Sequence, residues 1–112
     1  MVTLNEILDV DKKIRFAAKI SLDGDFLESI HRDDDFMIPK LKEEKMARHV
    51  SLLAANHKIM DNPLGKSEMT ITYRGEFASL LFYSETALYP VSIDGCHDIE
   101  PLARKILKLF KV

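Results

Sequence analysis

The polar and apolar positions change period several times along the chain, and each change marks an element. Leu4, Ile7 and Leu8 fall on one side of a short helix, with Asp11 at the next turn and Thr3 or Asn5 near the start. The period then becomes two. Ile14, Phe16, Ala18, Ile20 and Leu22 alternate with Arg15, Ala17, Lys19 and Ser21, the pattern of a half-buried strand. Asp23-Gly24 follows, the dipeptide favoured in a type I′ turn, where both central positions need positive φ. The segment DFLESIH then returns as a second strand. From residue 40 to 61 the spacing is helical. Met46, Val50, Leu53, His57 and Met60 form one stripe, with Ala47 and Ala54 beside it. Pro63 and Gly65 are expected to end that helix.

Three more strands follow. Met69, Ile71 and Tyr73 alternate with Thr70, Thr72 and Arg74, and Gly75-Glu76 fits a two-residue hairpin turn. FASLLFYS is apolar on both faces, which predicts a central strand covered from both sides. ETALYPVSID is the last strand. Pro90 lacks a backbone donor there, which predicts an edge position or a bulge. Ile99, Leu102, Ala103, Ile106, Leu109 and Phe110 make one face of a closing helix. The order α-β-β-α-β-β-β-α predicts an α+β fold in three layers, α/β/α, around a five-stranded antiparallel sheet. A chain of 112 residues is long enough for one core, so a single domain over 1–112 is expected.

Composition narrows the function classes. Hydrophobic residues make up 46% and charged residues 30%, as in ordinary globular chains. A formal net charge of −2 argues against general nucleic-acid binding, which needs a basic face. The single cysteine cannot form an internal disulfide, and a reducing, cytoplasmic setting is expected. The start MVTLNEILDVDKK carries acids early and has no positive leader before an apolar run, so no signal peptide is expected. The longest uncharged runs are strand-length, which predicts no membrane insertion.

Candidate chemistry is sparse. In SIDGCHDIEP, Cys96 and His97 stand between Asp94 and Asp98. A thiol at a helix start has the setting of an activated nucleophile, and the four side chains have metal-binding chemistry. The simpler reading is a turn at Asp94-Gly95, then Asp98 as a helix N-cap whose carboxylate accepts a free N–H, with Pro101 in the first turn. HRDDD, His31 to Asp35, lacks the alternating ligands, glycine and distal glutamate of a calcium loop and reads as a solvated loop. Arg15, Lys19, Lys58, Lys66 and Arg74 are candidates for an anion site, but no glycine-rich phosphate loop accompanies them. His57 on the helical stripe reads as a packed residue, and near a symmetry mate it would sense pH. No catalytic, cofactor-binding or metal residue is therefore assigned, and an enzyme is not expected.

The element order, together with ILDVDKKIRFAAKISLDGDFLES and IEPLARKILKLF, resembles the roadblock/dynein light chain domain of the profilin-like and longin-like group. The same segments are similar to a family of small archaeal proteins. The resemblance implies sheet order 2-1-5-4-3, with the long helix on one face and the terminal helices on the other. It also implies a homodimer formed through strand three and the long helix, and a regulatory platform for a small GTPase. The unbroken MTITYR strand supports that edge, because unpaired N–H and C=O groups there invite a partner. Met46, Val50, Leu53, His57, Ile71 and Tyr73 are the expected interface residues. No ligand residues carry over, and Pro90 departs from the unbroken strand the resemblance implies. A ligand sensor of PAS or profilin-like type is the second reading, against which Phe16, Phe26, Leu81 and Phe82 are expected to fill the sheet faces. A thiol enzyme at Cys96 is the third.

Overall fold

A computed structural model describes residues 2–32, 40–95 and 97–111 of the chain, leaving aside the side chains of residues 40–42, 62 and 63. Its elements are α1 (Leu4–Leu8), β1 (Ile14–Ser21), β2 (Phe26–His31), α2 (Lys40–Leu64), β3 (Met69–Arg74), β4 (Phe77–Tyr83), β5 (Ala87–Asp94) and α3 (Ile99–Phe110). The strands form one antiparallel sheet in the order β2-β1-β5-β4-β3, the order implied by the resemblance.

α1 is too short to be stable alone and is held by its surroundings. A capping box closes its start: Thr3 Oγ1 accepts the Glu6 N–H at 3.1 Å and Glu6 Oε1 accepts the Thr3 N–H at 3.0 Å. Leu4, Ile7 and Leu8 are buried. Arg32 ties down the other end, donating to the carbonyls of Leu8 (2.6 Å), Asp11 (3.2 Å) and Ile14 (2.9 Å). Asp11 lies past the helix rather than on its next turn, and its carboxylate accepts the Lys13 N–H.

The first hairpin differs from its expected turn. Gly24 has φ +94, but Asp23 has no positive φ, so the turn is not type I′. Ser21 N–H donates to Asp25 O and Gly24 N–H to Ser21 O, which makes a three-residue loop ending in a left-handed glycine. α2 passes over this loop. Ser51 Oγ donates to Leu22 O at 3.0 Å, and a Cβ on Gly24 would lie 3.4 Å from Ser51 Cβ. The second hairpin has the expected two-residue turn, with Arg74 paired to Phe77 across Gly75 at φ +68.

β1 is a central strand rather than a half-buried one: Phe16, Ala17 and Ala18 are buried in succession. Its register shifts at Arg15, between the pairs Ile14–Ile93 and Phe16–Ser92. β5 is also central, which corrects the edge-or-bulge expectation for Pro90. That residue is buried and pairs with Leu81 in an unbroken β4–β5 ladder. The Asp94 N–H points to Lys13 O, so the even-numbered residues of β5 face β1. The donor that Pro90 lacks is therefore a single β1–β5 bond, flanked by the pairs Ala17–Val91 and Ile20–Leu88.

The sheet carries a core on each face. Under α1 and α3 lie Ile7, Ile14, Leu80, Phe82, Ile93 and Ile106, with Phe110 stacked on Phe82 at 5.4 Å. Under α2 lies a smaller group: Ile20, Ala47, Val50, Leu81 and Leu88. α3 buries Leu107 besides the expected face, and Leu109 and Phe110 are only half-buried. Asp98 precedes α3 in a left-handed conformation (φ 57) and its side chain makes no cap bond, which overturns the carboxylate-cap reading. α2 runs through Pro63 to Leu64, so the proline falls in the last turn rather than ending the helix before it. Gly65 (φ +91) then ends the helix, its N–H donating to Asp61 O. Among the described residues, no helix is long and apolar enough to cross a membrane.

Candidate functional site

Among the described residues, the two outer strands β2 and β3 each leave one edge unpaired, and the two edges differ. On β3, the Tyr83 N–H donates to Glu68 O, so by alternation Thr70, Thr72 and Arg74 bond to β4. The backbone groups of Met69, Ile71 and Tyr73 consequently face away from the sheet. The six β3–β4 pairs run without a register shift. β2 has a shift between its pairs Lys19–Glu28 and Ile20–Phe26, which leaves Leu27 as an extra, bulged residue. A bulge and an adjacent exposed glutamate are devices that discourage strand addition. β3 lacks the bulge.

Beside this edge, α2 is apolar on more than its buried side. Val50 is in the core with Leu81 and Leu88, and Met46 and Leu53 are partly buried against the same group. Leu52, Ile59 and Leu64 are 62%, 73% and 75% exposed, and Met60 is about half exposed. A helix with apolar side chains on its solvent face has surface left to bury. Leu52 and Ile59 were missed as candidates because they fall outside the sheet-facing stripe. Their seven-residue spacing was the available signal.

The six expected interface residues therefore divide. Tyr73 is 60% exposed at the edge. Ile71 turns its backbone outward while its side chain packs against the α3-side core. Met46 and Leu53 lie at the helix rim and Val50 beneath it. His57 is half-buried and tied to the sheet: its Nδ1 is 3.1 Å from Ser67 Oγ and its ring lies 5.5 Å from that of Tyr83. Tyr83 in turn shares a 2.7 Å hydrogen bond with Thr70 on β3. Burial pushes the Tyr83 phenol above its ordinary value, while the Thr70 bond pulls the other way.

Between α2 and strands β3 to β5 runs a groove of about 500 Å³, with Met46, His49 and Leu53 on the helix side and Thr72, Ser79 and Ser92 among the strand residues. The aromatic and leucine side chains therefore do not fill this face. The basic candidates separate. Arg74 lines this groove, whereas Lys58 and Lys66 line a different hollow, where Lys66 is 3.4 Å from Glu85. His31 is half-buried and His97 exposed, while residues 33–35 and Cys96 lie outside the described residues. Among the described residues, no three His, Cys, Asp or Glu side chains gather as a metal site would require.

No protein-family model matches the chain, and no curated protein does. Solved structures do. A gliding protein, MglB, from Thermus thermophilus is 16% identical with a TM-score of 0.72, over 96% of this chain and 82% of that one. A roadblock/LC7 domain from Streptomyces avermitilis is 14% identical with a TM-score of 0.71, over 96% and 88%. An MglB with a tetrameric arrangement is 16% identical with a TM-score of 0.69, over 96% and 85%. The chain therefore has the roadblock/LC7 fold.

Proposed function

We propose that residues 1–112 act as a single cytoplasmic, non-enzymatic domain, a homodimeric interaction module serving as a regulatory platform for a small GTPase. Two observations support this reading: a β3 edge with no bulge, and exposed apolar side chains on α2, which lines a groove together with β3. A two-fold copy of β3 would satisfy the outward backbone groups of Met69, Ile71 and Tyr73 and close the assembly. It would also bring together the two long helices, burying Leu52, Ile59 and Met60 with Met46 and Leu53 at the rim. Self-association is in keeping with the tetrameric arrangement of one MglB. The GTPase partner rests on the resemblance to roadblock domains.

Sedimentation velocity of wild type and Ile59→Lys tests the dimer. Ile59 is exposed, so the charge should spare the fold and shift the chain towards monomer. A folded variant that sediments like wild type would count against the helix contact. The GTPase role is tested with the host's purified small GTPases loaded with GDP or a non-hydrolysable GTP analogue. Retention that depends on the nucleotide supports it, and no retention of any of them contradicts it.

A further inference from the structure

The sheet face under α2 is incompletely sealed. Thr72 pairs with Ser79, and Ser79 with Ser92, so three hydroxyl side chains stand abreast on β3, β4 and β5. Residues directly paired across strands share a face, and all three line the groove under α2. None of the three hydroxyls has a hydrogen-bond partner among the described residues. Hydroxyls closed beneath a helix without partners would be costly, so this row belongs to a face that stays open to water or to a ligand.

The groove's volume of about 500 Å³ is in the range of small-molecule sites. Its apolar lining includes Phe16, Met46, Val50, Leu81 and Pro90. Two basic residues, His49 and Arg74, line it as well, and among the described residues no acidic one does. Arg74 has no ion pair among the described residues. In a chain with 18 acidic side chains, a groove that gathers hydroxyls, a guanidinium and an imidazole without a carboxylate is selective in charge. We infer that this groove binds a small organic anion with an apolar body, of the medium-chain carboxylate class. Arg74 receives the carboxylate in a charge-assisted hydrogen bond, the hydroxyl row serves its oxygens, and the apolar lining takes the chain. The site goes beyond the interaction module, and Met46 and Leu53 line the groove as well as the rim of the proposed interface.

The probes are octanoate and the uncharged octan-1-ol, each titrated into the isotope-labelled full chain while backbone amide shifts are followed. Sedimentation of the same samples reports assembly separately. The expected result is saturable octanoate binding with a dissociation constant of about 1 mM or tighter, and shifts centred on Thr72, Ser79 and Ser92. Octan-1-ol binds about tenfold more weakly or worse, the loss of one charged hydrogen bond, and Arg74→Gln or His49→Gln narrows that difference. Absence of saturable shifts, equal affinity for the two probes, or shifts centred on Leu52 and Ile59 would overturn the inference. A chain that is monomeric with and without octanoate, and still binds it, would overturn only the assembly.

Discussion

Arg32 should be worth far more than its surface position suggests. Its guanidinium reaches carbonyls of Leu8, Asp11 and Ile14, which lie at the end of α1, in the following turn and at the start of β1. Arg32→Met keeps much of the stem and removes every donor. Two of the bonds lie in partly buried ground and one is exposed. A hydrogen bond from a charged donor is worth about 1.5–3 kcal/mol when sheltered and much less in water. The sum, discounted for exposure, is about 2 kcal/mol. Leu4, Ile7 and Leu8 reach the core only if α1 holds its place, so the effect should appear in global unfolding. Urea denaturation should show a midpoint lower by roughly 1–2 M at constant slope. Arg32→Lys keeps the charge but cannot span three carbonyls, and should lose about half as much. A loss below about 0.5 kcal/mol for the methionine variant would show that α1 is held without this clamp.

Three other perturbations separate the elements of the fold. Gly24→Ala forces a side chain into the left-handed region and towards Ser51, and should lower stability by about 1–2 kcal/mol in thermal unfolding. Burial raises both Tyr83 and Tyr89, helped at Tyr89 by the charge of Glu28. Their contribution is full below the unfolded pKa of about 10 and is lost as pH rises through the higher folded values. The urea midpoint should therefore fall from about pH 9 to about pH 11, and should fall less in Tyr83→Phe. Phe82→Ala empties the centre of the α3-side core and should cost about 3–5 kcal/mol, enough to leave the chain largely unfolded at 37 °C on circular dichroism.

Element order was legible because period, length and turn residues agree locally. The doubly apolar β4 announced its central place, and the 99–110 face announced a helix on one side of the sheet. What was lost depends on partners distant in sequence. Ala17 reads as a spacer on a polar face, yet it is buried in the core formed with α1 and α3, because helices cover both faces of the sheet. Pro90 reads as an edge signal, but only the pairing shows that its missing donor costs one bond in one ladder. Asp98 has the chemistry of a cap and the wrong backbone conformation for it. Nothing in the sequence marks out Ser79, in a strand read as apolar on both faces, or Ser92, and only the register lines them up with Thr72 under α2. At the candidate interface, the edge position of MTITYR came from the resemblance and its sheet order. Which of its amides face outward was settled by one bond, Tyr83 N–H to Glu68 O.

That bond also selects the variant for the central claim. Proline at Thr72 would break the β3–β4 ladder, whereas proline at Tyr73 removes an outward donor and leaves that ladder in place. Sedimentation velocity at micromolar concentration should show wild type as a dimer and Tyr73→Pro as a folded monomer. A wild-type chain that is well folded and monomeric throughout, or a Tyr73→Pro dimer indistinguishable from wild type, would contradict pairing through β3.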